Sequence, residues 1–308
     1  LKNYILGSGA IGCIAKMILG SSFEWIPFKR SRYYSFDIPY GDNFIVYDKV
    51  IDDFMRSMMI NCVPIFYKRA FSYQGQLMFQ ELPILIDPYL YKVYGENVPT
   101  IASKLIKTTF SVYPATVQML YHQLEDKFKD NEIAAGVQKF GTMKSVDLDK
   151  KVICCEHGNF EFDKLVYTIP LNAFLRLCGK SVDDLKARAV CYYLLETDSV
   201  DLEGAQQALV VDSNVEFFKV VILDKNRYIF WTFNALDNPH MYFGKFLNYR
   251  LDIIEAKRID EAIPIGNPPD LSWLPKGVVG VGSNATHDDF MDVSSCILRL
   301  LRLSKNIL

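Results

Sequence analysis

Tyr4-Ile5-Leu6-Gly7-Ser8-Gly9-Ala10-Ile11-Gly12-Cys13-Ile14-Ala15-Lys16-Met17-Ile18-Leu19 is the stretch that decides how this 308-residue chain is read. A short apolar strand runs into Gly-x-Gly-x-x-Gly, and an apolar-periodic helix follows. Gly7 allows a tight turn off the strand, and Gly9 lets backbone approach a pyrophosphate with no Cβ in the way. Gly12 allows the helix to pack closely on the strand, and the N–H groups of the first helical turn face the phosphates. The competing reading is a purely structural glycine turn. The order strand, glycines, helix at the start of the sequence is the context a dinucleotide-binding turn requires.

Composition bounds the rest. Half the residues are apolar, enough for a large core in two domains or one large one. The net charge of −2 carries no footprint for a nucleic-acid backbone or an anionic membrane, and leaves open a substrate carried on a macromolecule. The seven cysteines (Cys13, Cys62, Cys154, Cys155, Cys178, Cys191 and Cys296) are scattered without a C-x-x-C pair. Cys13, Cys191 and Cys296 sit in apolar runs and read as small buried hydrophobes in a reducing compartment. The four histidines show no metal-ligand spacing. No apolar run reaches the roughly 18 to 20 residues of a membrane span. The sequence enters its first strand directly, so no signal peptide is expected, and the expected location is soluble and cytoplasmic.

Along the chain, Phe23–Phe28 reads as a second strand, with Pro27 awkward in it. A dinucleotide fold places an acid at the end of this strand to bond the adenosine ribose. Here the position falls on Arg30, within Lys29-Arg30-Ser31-Arg32. That cluster reads either as a phosphate or adenine contact or as a solvated loop. Tyr40-Gly41-Asp42-Asn43 is a turn by composition, Phe44–Tyr47 a strand and Lys49–Met59 a short helix. Tyr67–Leu77 reads as two strands around Gln74-Gly75, and aromatic and apolar residues continue from Pro83 to Tyr94. Val117–Phe128 keeps helical spacing.

A compact β pattern is expected next: Glu132–Phe140, Ser145–Leu148, Val152–Glu156, Phe160–Phe162, and a buried parallel-type strand Leu165–Leu171 that ends on proline. A helix follows over Asn172–Leu177. Residues 187–235 read as four strands of an antiparallel sheet, residues 240–258 as helix, and Pro264–Pro275 as linker. Gly277–Asn284 is a strand into a glycine turn. Thr286-His287-Asp288-Asp289 then caps a helix from about Phe290 to Leu303.

Three stretches in this order carry a resemblance: Gly7–Gly12, Asp163-Lys164-Leu165-Val166-Tyr167-Thr168-Ile169-Pro170-Leu171, and Val278-Val279-Gly280-Val281-Gly282-Ser283-Asn284. Together they resemble the superfamily of FAD-dependent amine oxidases, protoporphyrinogen oxidases and UDP-galactopyranose mutases, with the mutase-like members most similar. Tyr113-Pro114 before a helix is similar to a step these proteins carry before returning to the FAD domain. The resemblance implies that Gly7, Ser8, Gly9, Ala10, Ile11 and Gly12 hold the FAD pyrophosphate; Arg30 joins the cofactor site only on the phosphate-or-adenine reading of its cluster. Val137 would meet adenine through its backbone, and Thr168 and Pro170 would line the cofactor groove. Gly282 and Ser283 would face the ribityl-pyrophosphate region. Met291 and Asp292, at a helix start, would lie at the flavin pyrimidine edge, where a helix N-terminus stabilises a reduced flavin. The sequence departs from the family at the missing ribose acid, at an absent Gly-Gly-Arg stretch, and at Gly282-Ser283, where many relatives carry Gly-Arg.

The implied architecture is α/β. A discontinuous Rossmann-like FAD/NAD(P)-binding domain comes from residues 1–59, 130–178 and 269–308. A smaller antiparallel-sheet substrate domain comes from 60–129 and 179–268. The implied function is an FAD-dependent oxidoreductase acting on an amine or C–H bond of a small or macromolecule-attached substrate. Tyr192, Tyr193, Trp231 and Phe233 read either as aromatic walls for that substrate or as cross-strand core pairs. His287 is the candidate base, against a surface or capping histidine. Lys219 and Arg227 read as anion contacts or solvated strand ends, and His122 and His157 as exposed. Two other classes stay open: a binding or scaffold protein that keeps the fold without flavin, and an NADP-dependent oxidoreductase in which Arg30 or Arg32 reads a 2′-phosphate.

Overall fold

Alternation along two short strands shows how the first half of the fold is built. In Lys2–Leu6, Tyr4 and Leu6 pack into one hydrophobic cluster and Ile5 into another; in the strand ending at Tyr167, Leu165 and Tyr167 divide from Val166 in the same way. A strand whose two faces are both buried belongs to a sheet covered on both sides. The computed structural model describes residues 2–7, 9–26, 44–58, 63–100, 102–114, 132–198, 200–245, 251–288 and 292–305.

In chain order the elements are β1 (Lys2–Leu6), α1 (Ala10–Leu19), β2 (Phe23–Ile26), β3 (Phe44–Val46), α2 (Lys49–Ser57), β4 (Ile65–Tyr73), β5 (Gln76–Met78), α3 (Pro83–Tyr94), α4 (Ala102–Leu105) and β6 (Thr109–Pro114). Then come α5 (Glu132–Phe140), β7 (Met143–Asp147), β8 (Val152–Cys155), β9 (Gly158–Tyr167), α6 (Leu171–Leu177), β10 (Lys186–Thr197), β11 (Gln207–Val210) and β12 (Phe217–Ile222). The last are β13 (Arg227–Thr232), α7 (Pro239–Gly244), β14 (Leu251–Ile265), β15 (Val278–Gly280), α8 (Ser283–Thr286) and α9 (Val293–Lys305).

The chain divides into two units. The first comprises Leu1–Val63, Tyr113–Leu185 and Pro268–Leu308, and the second Pro64–Val112 and Lys186–Asn267. These cuts differ from the expected ones most at Tyr113, whose fully buried ring belongs to the first unit's core and whose hydroxyl donates to Asp52 Oδ1 at 2.7 Å.

In the first unit β2, β1, β9 and β15 run parallel, and the β7–β8 hairpin continues the sheet antiparallel to the first half of β9. Ile14 of α1, Phe54 of α2 and Leu300 of α9 cover the Ile5 face. Phe140 of α5, Phe174 of α6 and Ile153 of β8 cover the other. Each such side chain contributes about 1.5–3 kcal/mol by leaving water.

The second unit is a sheet in the order β14-β10-β13-β12-β11-β4-β6, with β5 paired to β4. It is antiparallel except where β11 meets β4, the joint between the unit's two chain pieces. One face packs on Phe243 of α7 around Tyr193, Leu195, Val220 and Phe230.

Three expectations change. Glu132–Phe140 is a helix, not a strand: Gly141 at φ +67° receives its last turn, donating to Val137 O at 2.8 Å, with Lys139 near the helix end. Residues 251–265 are a strand rather than part of a helix at 240–258. Their Glu, Lys and Ala content favours helix, but pairing along β10 overrides it. Phe160–Phe162 and the run from Leu165 are one continuous strand, β9, because a register shift beside Lys2 and Asn3 absorbs Asp163; it ends at Tyr167, and Leu171 already begins α6. Pro83–Tyr94, for which the sequence reading named no element, is a helix, opened by Pro83 at its first turn and closed by Gly95 at φ +64°. The expectations at Ser8, Pro27, Lys29–Arg32 including Arg30, Tyr40–Asn43, Cys62, Val117–Phe128 including His122, Asp289, Phe290 and Met291 lie outside the described residues. Among the described residues no helix is long and apolar enough to cross a membrane, and no His, Cys, Asp and Glu cluster could hold a metal ion.

Candidate functional site

Backbone register aligns the first unit's site. Ile26, Leu6, Tyr167 and Gly280 stand in one row across β2, β1, β9 and β15. All four strands run the same way, so the residues just past this row lie at their carboxyl ends, where open parallel sheets bind ligands. Gly7, Thr168 and Val281 are those residues. The glycine turn from the start of the sequence and the one near its end thus meet at one edge, although more than two hundred and seventy positions separate them.

Gly7 sits at φ +116°, and a Cβ there would meet Thr168 Oγ1 at 2.4 Å. Its N–H donates to Ile26 O at 3.1 Å, and its carbonyl accepts from the buried Trp25 Nε1 at 2.5 Å. Thr168 closes the other side, donating to Leu6 O from both N (2.8 Å) and Oγ1 (3.1 Å). A Cβ on Gly12 would fall 2.3 Å from Gly7 O, so α1 presses on the turn as only glycine permits. Gly9 is the extended N-cap of α1; among the described residues no side chain caps this end, and no acid lies in its first turn. The N–H groups of Ala10, Ile11 and Gly12 and the positive end of the helix dipole therefore suit an anion.

At the second turn Gly282 takes φ +122°, and a Cβ there would lie 3.9 Å from Ile11 Cγ1. Thr286 donates to Gly282 O at 2.9 Å through both N and Oγ1, fixing α8. Ser283 begins that short helix. His287 follows it, buried, with left-handed backbone at φ 53°. Gly280 leaves room for Tyr167, whose ring would meet a Cβ there at 2.6 Å and stacks on Phe174 at 3.8 Å. Burial pushes the Tyr167 hydroxyl well above its ordinary pKa, and among the described residues that hydroxyl has no hydrogen-bond partner.

Asp292, expected at a helix start, caps α9 and accepts from Ser295 N at 2.7 Å, while Asp288, expected in the cap, lies before it. Val137 is exposed on α5 with its carbonyl committed to Gly141, and Pro170 is an exposed N-cap of α6. The N–H groups, Thr168 and the glycine openings match a dinucleotide pyrophosphate.

In the second unit Tyr192 and Tyr193 point to opposite faces, as strand geometry requires. Tyr193 belongs to the core: its hydroxyl accepts from Leu236 N at 2.7 Å and its ring meets Phe243 at 5.5 Å. Tyr192 stands opposite Trp231, edge-on at 4.8 Å, and Lys219 stands opposite Trp231 on the other side, its ammonium 3.9 Å from the ring centroid. Phe233 stacks on Phe218 at 4.2 Å under the Arg188 guanidinium. Arg227 is taken by Asp224, 2.6 Å away at a turn, which holds the Asp224 carboxyl below its usual range. His157 is exposed beside Gln138 O. Sequence reading missed Trp25, whose Nε1 fixes the first turn, and Gln207, fully buried and bonded to Arg69 Nε at 2.5 Å. A polar residue inside an apolar strand was the available signal for Gln207.

No protein-family model matches the chain, and no curated protein matches it. Solved structures do. Reduced UDP-galactopyranose mutase aligns over 99% of this chain and 93% of its own, with TM-score 0.67 and 11% identity. A protein described as a protoporphyrinogen oxidase, from an Exiguobacterium species, aligns over 99% and 98% with TM-score 0.63 and 10% identity. A flavin-dependent halogenase from Xanthomonas campestris aligns over 99% and 70% with TM-score 0.51 and 11% identity. At such identities the likeness is one of fold. The chain has the α/β Rossmann-like fold of the superfamily that its glycine turns and its Thr168–Pro170 element resemble.

Proposed function

We propose that this protein is an FAD-dependent oxidoreductase that oxidises an amine or C–H bond of a small or macromolecule-attached substrate. The observation that carries the reading is the row Ile26–Leu6–Tyr167–Gly280, which brings both glycine turns to the carboxyl edge of one parallel sheet. The uncapped N-terminus of α1 and the steric need for glycine at 7 and 12 support it. FAD, when bound, supplies the two-electron acceptor for substrate oxidation.

The chain's own residues bind and orient. Gly9 and the N–H groups of Ala10, Ile11 and Gly12 hold the pyrophosphate, Ser8 is assigned to it by the resemblance, and Thr168, Gly282 and Ser283 flank it. His287, five positions past Gly282, is the group this reading assigns to accept the substrate proton. Tyr192 and Trp231 are the aromatic residues assigned to substrate; Tyr193 is withdrawn to the core. Arg30 and Met291, outside the described residues, are assigned to the adenosine part and the flavin from the sequence alone.

The test is an absorbance spectrum of the purified protein before and after denaturation. A flavin spectrum with FAD released at about one per chain supports the proposal. A colourless protein that takes up no added FAD overturns it, and tight NADP(H) binding without flavin would replace it by the NADP-dependent reading.

A further inference from the structure

Two neighbouring residues of β2 grip the first glycine of the turn through its two polar groups. Ile26 O accepts from Gly7 N at 3.1 Å, and Trp25 Nε1 donates to Gly7 O at 2.5 Å. The two grips differ in kind. The first joins main chain to main chain and extends the β1–β2 pairing, so any residue at position 26 can make it. The second needs a side-chain donor at position 25, and the carbonyl it holds belongs to a residue at φ +116°. Glycine populates both signs of φ about as readily, so Gly7 does not by itself fix where its carbonyl points.

The indole sets that direction. Trp25 is buried in the cluster that α1 covers, with Ile5, Cys13 and Ile14. The carbonyl bonded to it therefore faces the interior, beside the space that Gly12 leaves open. Without the indole donor this carbonyl would be buried and unsatisfied, and turning toward solvent would relieve the cost. Turned outward at the carboxyl end of β1, it would bring the negative end of its dipole toward the N–H groups of Ala10, Ile11 and Gly12. Those groups suit an anion, and a carbonyl oxygen beside them opposes one. The inward hold keeps the N-terminus of α1 clear.

We propose that Trp25 is a positioning residue for the dinucleotide pyrophosphate: its indole N–H holds the Gly7 carbonyl inward and so preserves the anion site at the start of α1. Trp25 acts through Gly7 and not on the ligand. The identification of the dinucleotide as FAD rests on the oxidoreductase reading, but the action of Trp25 on a pyrophosphate-binding turn does not.

The test separates the N–H from the bulk of the ring. Trp25→Phe keeps an aromatic ring and removes the donor. In Trp25→His the imidazole Nε2 takes the place of the indole Nε1, so the donor stays while the six-membered ring is lost. ADP and FAD are titrated by calorimetry into the full chain, freed of any bound flavin, at pH 8, where imidazole is neutral. Melting temperatures are read alongside. Both ligands should bind about tenfold more weakly to Trp25→Phe and within about threefold of the parent to Trp25→His. The histidine variant should nevertheless melt lower than the phenylalanine variant, because it buries less apolar area. Affinity and stability then fall in opposite orders, which a packing role alone does not produce. Parent affinity in Trp25→Phe overturns the proposal, as does weaker binding in Trp25→His than in Trp25→Phe, or a parent that binds neither ligand. Where Trp25→His fails to fold, Trp25→Phe decides alone: weaker binding at a melting temperature near the parent's supports the proposal, and parent affinity overturns it. A parent that binds ADP but not FAD, with the loss in Trp25→Phe, overturns only the oxidoreductase reading.

Discussion

Replacing Gly12 with alanine sets two effects of known sign against each other. Alanine is favoured over glycine inside a helix by about 0.8–1.0 kcal/mol. At Gly12, however, the new Cβ would fall 2.3 Å from Gly7 O and 2.9 Å from Gly7 C, both backbone atoms of a turn that Ile26, Trp25 and Thr168 hold in place. The helix must move away, and forced repacking of this kind costs about 1–3 kcal/mol. An approach of 2.3 Å to backbone puts the cost at the upper end of that range, so the clash wins, with a net loss of about 2 kcal/mol, or roughly 3 °C in melting temperature for a chain of this length. Gly244 supplies the control. It ends α7, a Cβ there meets nothing within 4 Å, and its backbone is not in the left-handed region. Gly244→Ala should therefore hold or raise the melting temperature, while Gly12→Ala lowers it and weakens FAD uptake. Scanning calorimetry on both variants with and without FAD checks this. A Gly12→Ala protein as stable as Gly244→Ala would refute the close approach of α1 to the turn.

Two further outcomes follow from buried polar groups. Tyr167→Phe removes a buried hydroxyl that has no partner among the described residues, so urea denaturation should find the variant as stable as the parent or more so; a loss above about 1 kcal/mol would mean the hydroxyl is bonded. Burial lowers the Lys92 pKa to about 8 while its ammonium donates to the carbonyls of Asp212 (2.6 Å) and Phe217 (3.0 Å). Between pH 8 and the ordinary value of 10.5 the unfolded chain binds more protons at this site, so its contribution to stability rises with pH, by at most about 1.4 kcal/mol per pH unit. Buried thiols such as Cys155, pushed up to about 11, act the opposite way above pH 9, so the readout is the difference between the parent and Lys92→Met across pH 7–10. A difference that stays flat with pH removes Lys92 as the cause.

What the sequence made legible was local. Gly7, Gly9 and Gly12 announce a backbone requirement, and the structure meets it with a positive φ at Gly7 and a near-contact at Gly12. The strands around Tyr192, Phe218 and Trp231 were legible from their apolar, β-branched and aromatic content. Where partners are distant, composition misled. Residues 251–258 are strand because β10 offers a full edge, and Val137 is helical because Gly141 and Phe140 dock α5 beside β2. The division of Tyr192 from Tyr193 follows from a period of two. The alignment of Trp231 with Lys219 follows only from register, which no single stretch encodes.

The row that unites the glycine turns also constrains how the chain acquires its structure. Leu6 pairs with Tyr167, and Tyr167 with Gly280, so each parallel contact closes a loop of more than one hundred residues. Such closure is entropically costly and slows folding relative to local pairing. During synthesis the strand and helix around Gly7 emerge long before Thr168, which presses on that turn, and longer still before Val281, whose N–H donates to Tyr167 O. The motif most readily recognised in the sequence is therefore expected to be among the last parts of the protein to gain protection from hydrogen exchange.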